Sequence, residues 1–266
     1  MIFKFIIIFC LINLILPLQG CAQNQTMEAV KKEYKSVGDI SLNLHIFHAN
    51  KIVNSRQPAM VFFHPGGWIS GEPEFFYNQC HKYARHGFVT ISVQYRLANY
   101  GGLTPINCVE DAKDALIWIF DNAEELNVDT SAVTLVGYSA GGHLALMTQL
   151  TDYGGKCTVK NIILYAAPTD LTEDRLTAQL IKSKEAIYKL SPINNLRPIT
   201  SRIHVFHGKQ DNIVDFGTIE RFVGRAKDLG LKIALDAYDN VGHFILSEPT
   251  LNHELEQKVD QIIGLK

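Results

Sequence analysis

The sequence predicts an α/β chain: a mostly parallel central sheet with helices on both faces and a short cap inserted late in the chain. Three observations carry this expectation. Compact apolar runs recur at residues 59–63, 88–93, 132–136, 162–166, 202–206 and 232–238, short enough for strands covered on both faces. Segments of helical spacing separate them, such as Val109, Ala112, Leu116 and Ile119, and near the end Leu251, Leu255, Val259 and Ile262. The interval between the runs at 162–166 and 202–206 is about 35 residues, room for a small cap. Strand alternating with helix gives a parallel sheet, whose functional loops gather at the carboxyl ends of the strands.

Residues 34–48 alternate apolar with polar around Gly38-Asp39, so two short antiparallel strands are expected to edge the sheet. The N-terminus reads differently. Lys4 gives a positive start and residues 5–18 are apolar apart from Asn13, a secretory signal pattern too short for a transmembrane anchor. Leu18-Gln19-Gly20-Cys21 resembles a bacterial lipobox, which makes Cys21 the lipidated first residue of a membrane-anchored lipoprotein. A plain cleavage site at Gly20-Cys21-Ala22 is the competing reading and gives a soluble protein beginning at Gln23. The expected organisation is a signal at 1–21, a tether at 22–33 and one domain at 34–266.

The 266 residues are 47% apolar and 20% charged, which suits one domain with a sizeable core. With 25 basic against 27 acidic residues and no long run of like charge, nucleic acid is excluded as an expected partner. Any membrane contact would come through Cys21. Beyond Cys10 and Cys21, the thiols Cys80, Cys108 and Cys157 form no Cys-x-x-Cys pair, so buried structural thiols are expected, with one disulfide left open. No metal or cofactor is expected.

The chemistry-bearing segments follow strands. After the run at 132–136 comes Gly137-Tyr138-Ser139-Ala140-Gly141-Gly142 and then a helical stretch. A serine hydroxyl becomes a useful nucleophile when a sharp turn lifts it clear of the sheet beside a base, and so sharp a turn needs glycine on either side. The run at 202–206 leads into His207-Gly208-Lys209-Gln210-Asp211, and the last run precedes Gly242-His243-Phe244. The order serine, acid, histidine makes Ser139 the candidate nucleophile, His243 the base and Asp211 the orienting acid. Asp215 and Asp239 are rival acids with a plainer reading as loop or cap residues. His81, His86 and His204 fall inside helical or strand segments and are read as structural. The run at 59–63 ends in His64-Pro65-Gly66-Gly67-Trp68. The amides of Gly66 and Gly67, with Ala140 after the nucleophile, are candidate oxyanion donors, and Trp68 is the fallback. Pro65 has no amide hydrogen to give. Trp68, Tyr138 and Phe244 are candidates for a substrate pocket, with Tyr77 and Tyr100 as further aromatics.

Together these segments resemble the α/β-hydrolase fold, and closely its small bacterial esterases with a His-Gly-Gly-Gly-Trp loop. The similarity runs from about Ile40 to the C-terminus and includes Tyr95-Arg96-Leu97, Val109-Glu110-Asp111-Ala112 and Leu190-Ser191-Pro192. These narrow it to the group containing acetyl xylan and feruloyl esterases. The resemblance implies a serine carboxylesterase acting on short acyl groups such as acetyl, on a carbohydrate or other small alcohol, with Arg96 and Asp111 as a structural ion pair. Pro65 stands where that group usually has glycine. Two alternatives stay open: a serine peptidase of the prolyl-oligopeptidase kind, and a catalytically silent binding protein on the same fold.

Overall fold

The computed structural model describes residues 27–49, 55–98, 102–151 and 157–265. The signal segment and Cys21 lie outside these, as does Tyr100. Eight strands form one sheet: β1 (Val30–Val37), β2 (Ile40–Phe47), β3 (Gln57–Phe63), β4 (Val89–Val93), β5 (Val128–Tyr138), β6 (Asn161–Tyr165), β7 (Arg202–Gly208) and β8 (Ile233–Tyr238). Their spatial order is β1-β2-β4-β3-β5-β6-β7-β8. β1 and β2 pair antiparallel, as do β2 and β4, and every pair from β4 through β8 is parallel. The expected fold class is therefore observed. The first of the two expected edge strands begins before Tyr34, at Val30, which pairs with Ile46; the charged Lys31, Lys32 and Glu33 hide its start from a pattern search.

Seven α-helices lie among the described residues: α1 (Tyr77–Arg85), α2 (Pro105–Asp121), α3 (Ala140–Leu150), α4 (Arg175–Leu180), α5 (Lys184–Leu190), α6 (Phe216–Asp228) and α7 (Pro249–Ile263). The period-two alternation of the strands divides the core. Ala59, Val61, Phe63, Ile162 and Leu164 face a cluster shared with α2, α3 and α6, whereas Met60, Phe62, Ile163 and Tyr165 face one shared with α1 and α7. Each large side chain removed from water contributes roughly 1.5–3 kcal/mol, so both faces are anchored. One strand departs from the expectation of full cover: β8 is only half-buried. It is the last strand of the sheet, and Asp236 on it pairs with Lys258 of α7. Cys80, Cys108 and Cys157 are buried, and among the described residues none forms a disulfide. Among the described residues no helix is long and apolar enough to cross a membrane.

The cap consists of α4 and α5, which start on Asp174 and Ser183, whose side chains accept from the amides of Thr177 and Ala186. A buried ion pair holds the antiparallel edge of the sheet against α2. The guanidinium of Arg96 donates to both carboxylate oxygens of Asp111, each at 2.7 Å, and the Arg96 amide adds a third bond at 2.9 Å. Lys35 of β1 reaches the same carboxylate at 2.8 Å, so one fully buried acid ties β1, α2 and the segment after β4 together. Removing one member strands the other charge in the interior. Asp111→Ala is expected to cost about 3–5 kcal/mol of unfolding free energy, read from the denaturant midpoint; a cost below about 1 kcal/mol would contradict this role for the pair.

Candidate active site

Ser139 sits between β5 and α3 with φ 51° and ψ −123°, a left-handed conformation that side chains rarely adopt and that costs on the order of 1–3 kcal/mol. Neighbouring glycines make the turn possible. A Cβ on Gly141 would lie 2.0 Å from the carbonyl oxygen of Phe63, and one on Gly137 would lie 2.4 Å from that of Gly141. The serine amide donates to Tyr165 at 2.8 Å, and the serine carbonyl accepts from the His143 amide at 3.1 Å. Backbone bonds to β6 and α3 thus hold the strained residue in place.

The loop after β8 brings His243 to this turn. Ser139 Oγ lies 3.0 Å from His243 Nε2, and His243 Nδ1 lies 2.8 Å from Asp211 Oδ2. A carboxylate only accepts, so the proton belongs on Nδ1, leaving Nε2 to accept from the serine hydroxyl. Close approach of the histidine loop to β7 depends on Gly208, where a Cβ would meet the Val241 oxygen at 2.2 Å. Tyr138 donates its hydroxyl to the His243 carbonyl at 2.9 Å. Asp211 Oδ1 accepts from the amides of Ile213 and Val214 at 2.9 and 2.8 Å, and His207 Nε2 stands 3.3 Å from Oδ2. Burial alone would raise the Asp211 carboxyl, but bonds from His207, His243 and Val214 outweigh it and hold the group well below the usual carboxylate range. Neither rival acid bonds His243: Asp239 is exposed and paired with Lys209 at 2.8 Å, and Asp215, which lines the cleft, occupies the N-cap position of α6.

The glycine loop after β3 faces the serine across the cleft. Gly66, Gly67 and Trp68 have φ of 132°, 59° and 64°, and the Gly66 carbonyl turns back to accept from Ile69 and Ser70 at 3.1 and 3.0 Å. Among the described residues, the amides of Gly66, Gly67 and Ala140 have no acceptor, and all three residues line the cleft with Ser139. This cleft has a volume of about 1180 Å³. Phe75, Ile213 and Phe244 expose 44%, 53% and 65% of their surface and line it, giving the site an apolar mouth. Of the aromatic candidates, Tyr138 forms part of the wall and Phe244 stands at the rim, edge-on to His243 at 5.7 Å. Trp68 touches the cleft, but its ring is 2% exposed and serves mainly as core. Tyr77 lies away from it, bonded to His45 Nδ1 at 2.8 Å.

Two histidines that the sequence did not single out support the loop. His64 is stacked on Tyr95 at 4.1 Å and donates from Nδ1 to the Pro65 carbonyl at 2.9 Å. His143 in α3 accepts from the Trp68 indole at 3.3 Å. Burial lowers both to about 4. Their only signal in sequence was adjacency to the two glycine motifs.

A family model described as BD-FAE matches residues 44–223. The chain belongs to the BD-FAE family. Its structure matches esterase 2 of Thermogutta terrifontis, solved with propionate bound, at a TM-score of 0.78 and 28% identity over 91% of this chain and 96% of that one. The same esterase phosphoramylated by tabun aligns at 30% identity and covers 91% and 97%. Among curated relatives, carboxylesterase NlhH of Mycobacterium tuberculosis is 34% identical over 126 residues, 46% of this chain and 38% of its own. The non-reducing polyketide synthase pkbA of Emericella nidulans is 30% identical over 155 residues, 55% of this chain and 6% of its own. The chain thus spans well under two thirds of these curated relatives. The BD-FAE chain has the fold of α/β-hydrolase esterases over nearly its whole described length.

The buried histidines set a pH dependence. Each is neutral in the fold down to about pH 4 but takes a proton near 6.5 when unfolded. Between those values the unfolded chain binds more protons, so stability falls as pH falls from 6.5 towards 4, by on the order of 3 kcal/mol per histidine. The Asp211 contribution starts to be lost as pH falls through the ordinary carboxylate range and so adds to the decline only at the low end of this window. Urea midpoints at pH 7, 5.5 and 4.2 should decline in step; a flat series would contradict the neutral, buried assignment.

Proposed function

We propose that this chain is a carboxylic ester hydrolase that works through an acyl-enzyme on Ser139, with His243 as the base and Asp211 as the orienting acid. The observation that carries the reading is the run of contacts from Ser139 Oγ to His243 Nε2 to Asp211 Oδ2 at 3.0 and 2.8 Å, facing backbone amides that have no acceptor. His243 takes the hydroxyl proton as Oγ attacks the ester carbonyl carbon, and Asp211 stabilises the imidazolium so formed. The amides of Gly66, Gly67 and Ala140 receive the developing oxyanion, an interaction worth on the order of 3 kcal/mol per donor in the transition state. His243 then gives its proton to the leaving alcohol, and water repeats the sequence on the acyl-enzyme.

The substrates we propose are short-chain esters, acetyl-like in the acyl group, with a carbohydrate or other small alcohol. The open cleft with its apolar mouth supports this, as do the structures of Thermogutta terrifontis esterase 2 with propionate and with butyrate. Ser139→Ala should keep its fold and lose about 10³-fold or more of kcat against acetylated sugars, feruloyl esters and a graded acyl series. The wild type should prefer acetyl to butyryl esters over octanoyl ones. Full activity of the alanine variant would sink the mechanism, and a preference for long acyl chains would sink the substrate class.

A further inference from the structure

His143 lies one helical turn after Ser139 and is fully buried. Both ring nitrogens are committed. Nδ1 accepts from the Trp68 indole at 3.3 Å, and Nε2 donates to the Leu190 carbonyl at 2.9 Å. An indole N–H only donates and a carbonyl only accepts, so the tautomer is fixed by the partners. The rings of Trp68 and His143 meet edge to face at 5.3 Å. Trp68 follows Gly66 and Gly67 and itself holds a positive φ of 64°, a conformation that a tryptophan keeps only where its surroundings enforce it. The Trp68 carbonyl accepts from the Ala98 amide at 2.7 Å, so the residue is pinned at its backbone and at its ring.

The other partner of His143 belongs to the cap. Leu190 is the last residue of α5, and Leu176 of α4 packs on the glycine loop so closely that a Cβ on Gly67 would lie 2.7 Å from its Cδ2. The cap therefore bears on the loop twice, once through Leu176 and once through the His143 ring.

We propose that His143 is a positioning residue that anchors the Trp68 ring, and with it the Gly66-Gly67-Trp68 loop, holding its amides at the geometry the reaction needs. The proposal rests on the ester-hydrolase reading, because it takes those amides as the oxyanion donors. A loop with three consecutive positive φ values has unpaired amides and few bonds of its own, so its register depends on what holds Trp68. A displacement near 1 Å at such donors costs up to about a hundredfold in rate and leaves ground-state binding almost untouched.

Two substitutions and one probe test it. His143→Phe keeps a ring and removes both bonds, whereas His143→Asn offers Oδ1 where Nδ1 was and keeps an acceptor for the indole. In His143→Phe, kcat on acetyl esters should fall about 10- to 100-fold with KM within about twofold, and His143→Asn should recover most of it. The chain has two tryptophans, so its indole N–H resonances are readily assigned. The Trp68 proton should exchange slowly in the wild type and in His143→Asn, and quickly in His143→Phe, with thermal melts showing that each variant is folded. The proposal is overturned by a folded His143→Phe with wild-type kcat, by an asparagine variant as impaired as phenylalanine, or by a freely exchanging Trp68 indole in the wild type. Failure of the ester reading gives a separate signal: the wild type itself would turn over no ester, and the positioning role would fall with it.

Discussion

The strained turn at Ser139 is the constraint on which the rest of the site depends. A non-glycine residue with φ 51° persists only where packing leaves no alternative, and here β3, β5, β6 and α3 crowd the backbone so tightly that Gly137, Gly141 and Gly142 cannot carry a Cβ without collision. The same crowding brings the carboxyl end of β3, and so the loop carrying Gly66 and Gly67, against the first turn of α3. Candidate nucleophile and candidate donors are consequently neighbours for one steric reason. Loss of a glycine there would separate them together.

Around that turn the polar groups are arranged so that each histidine has one role. His243 takes its proton on Nδ1 because Asp211 faces it, and Asp211 stays ionised because His243 and two backbone amides donate to it, with His207 Nε2 a further 3.3 Å contact. His64 and His143 stay neutral because burial disfavours their charged forms. Only one imidazole in this neighbourhood faces both a carboxylate and the serine hydroxyl, which is the asymmetry that an acid-base relay requires.

Much of this was legible in the sequence because it is local. Apolar runs of strand length mark the inner strands, since those are covered on both faces, and the glycine spacing around Ser139 reports a steric need that exists within six residues. The edges were less legible. β1 opens on Lys31, Lys32 and Glu33, exposed residues that lie before the alternation from residue 34, and β8 shows its apolar run at 232–238 but is only half-buried, with Asp236 opposite Lys258, so its run overstates its cover. The cap could be expected from its length, but α4 and α5 are six and seven residues long, too short for a periodicity to emerge. What escaped altogether was the meaning of His143, His64 and His207. Their importance lies in partners 47, 31 and 4 to 7 positions away, and no spacing rule announces a ring bridging a glycine loop and a cap.

The proposed reaction requires that this turn present an activated serine hydroxyl. The most direct measurement is peptide mapping by mass spectrometry after reaction with a phosphonate ester. The account predicts a single adduct per chain, on the peptide containing Ser139, forming rapidly in the wild type and at least about a hundredfold more slowly in a folded His243→Ala variant. An adduct on another residue, or labelling of Ser139 at an undiminished rate without His243, would contradict it.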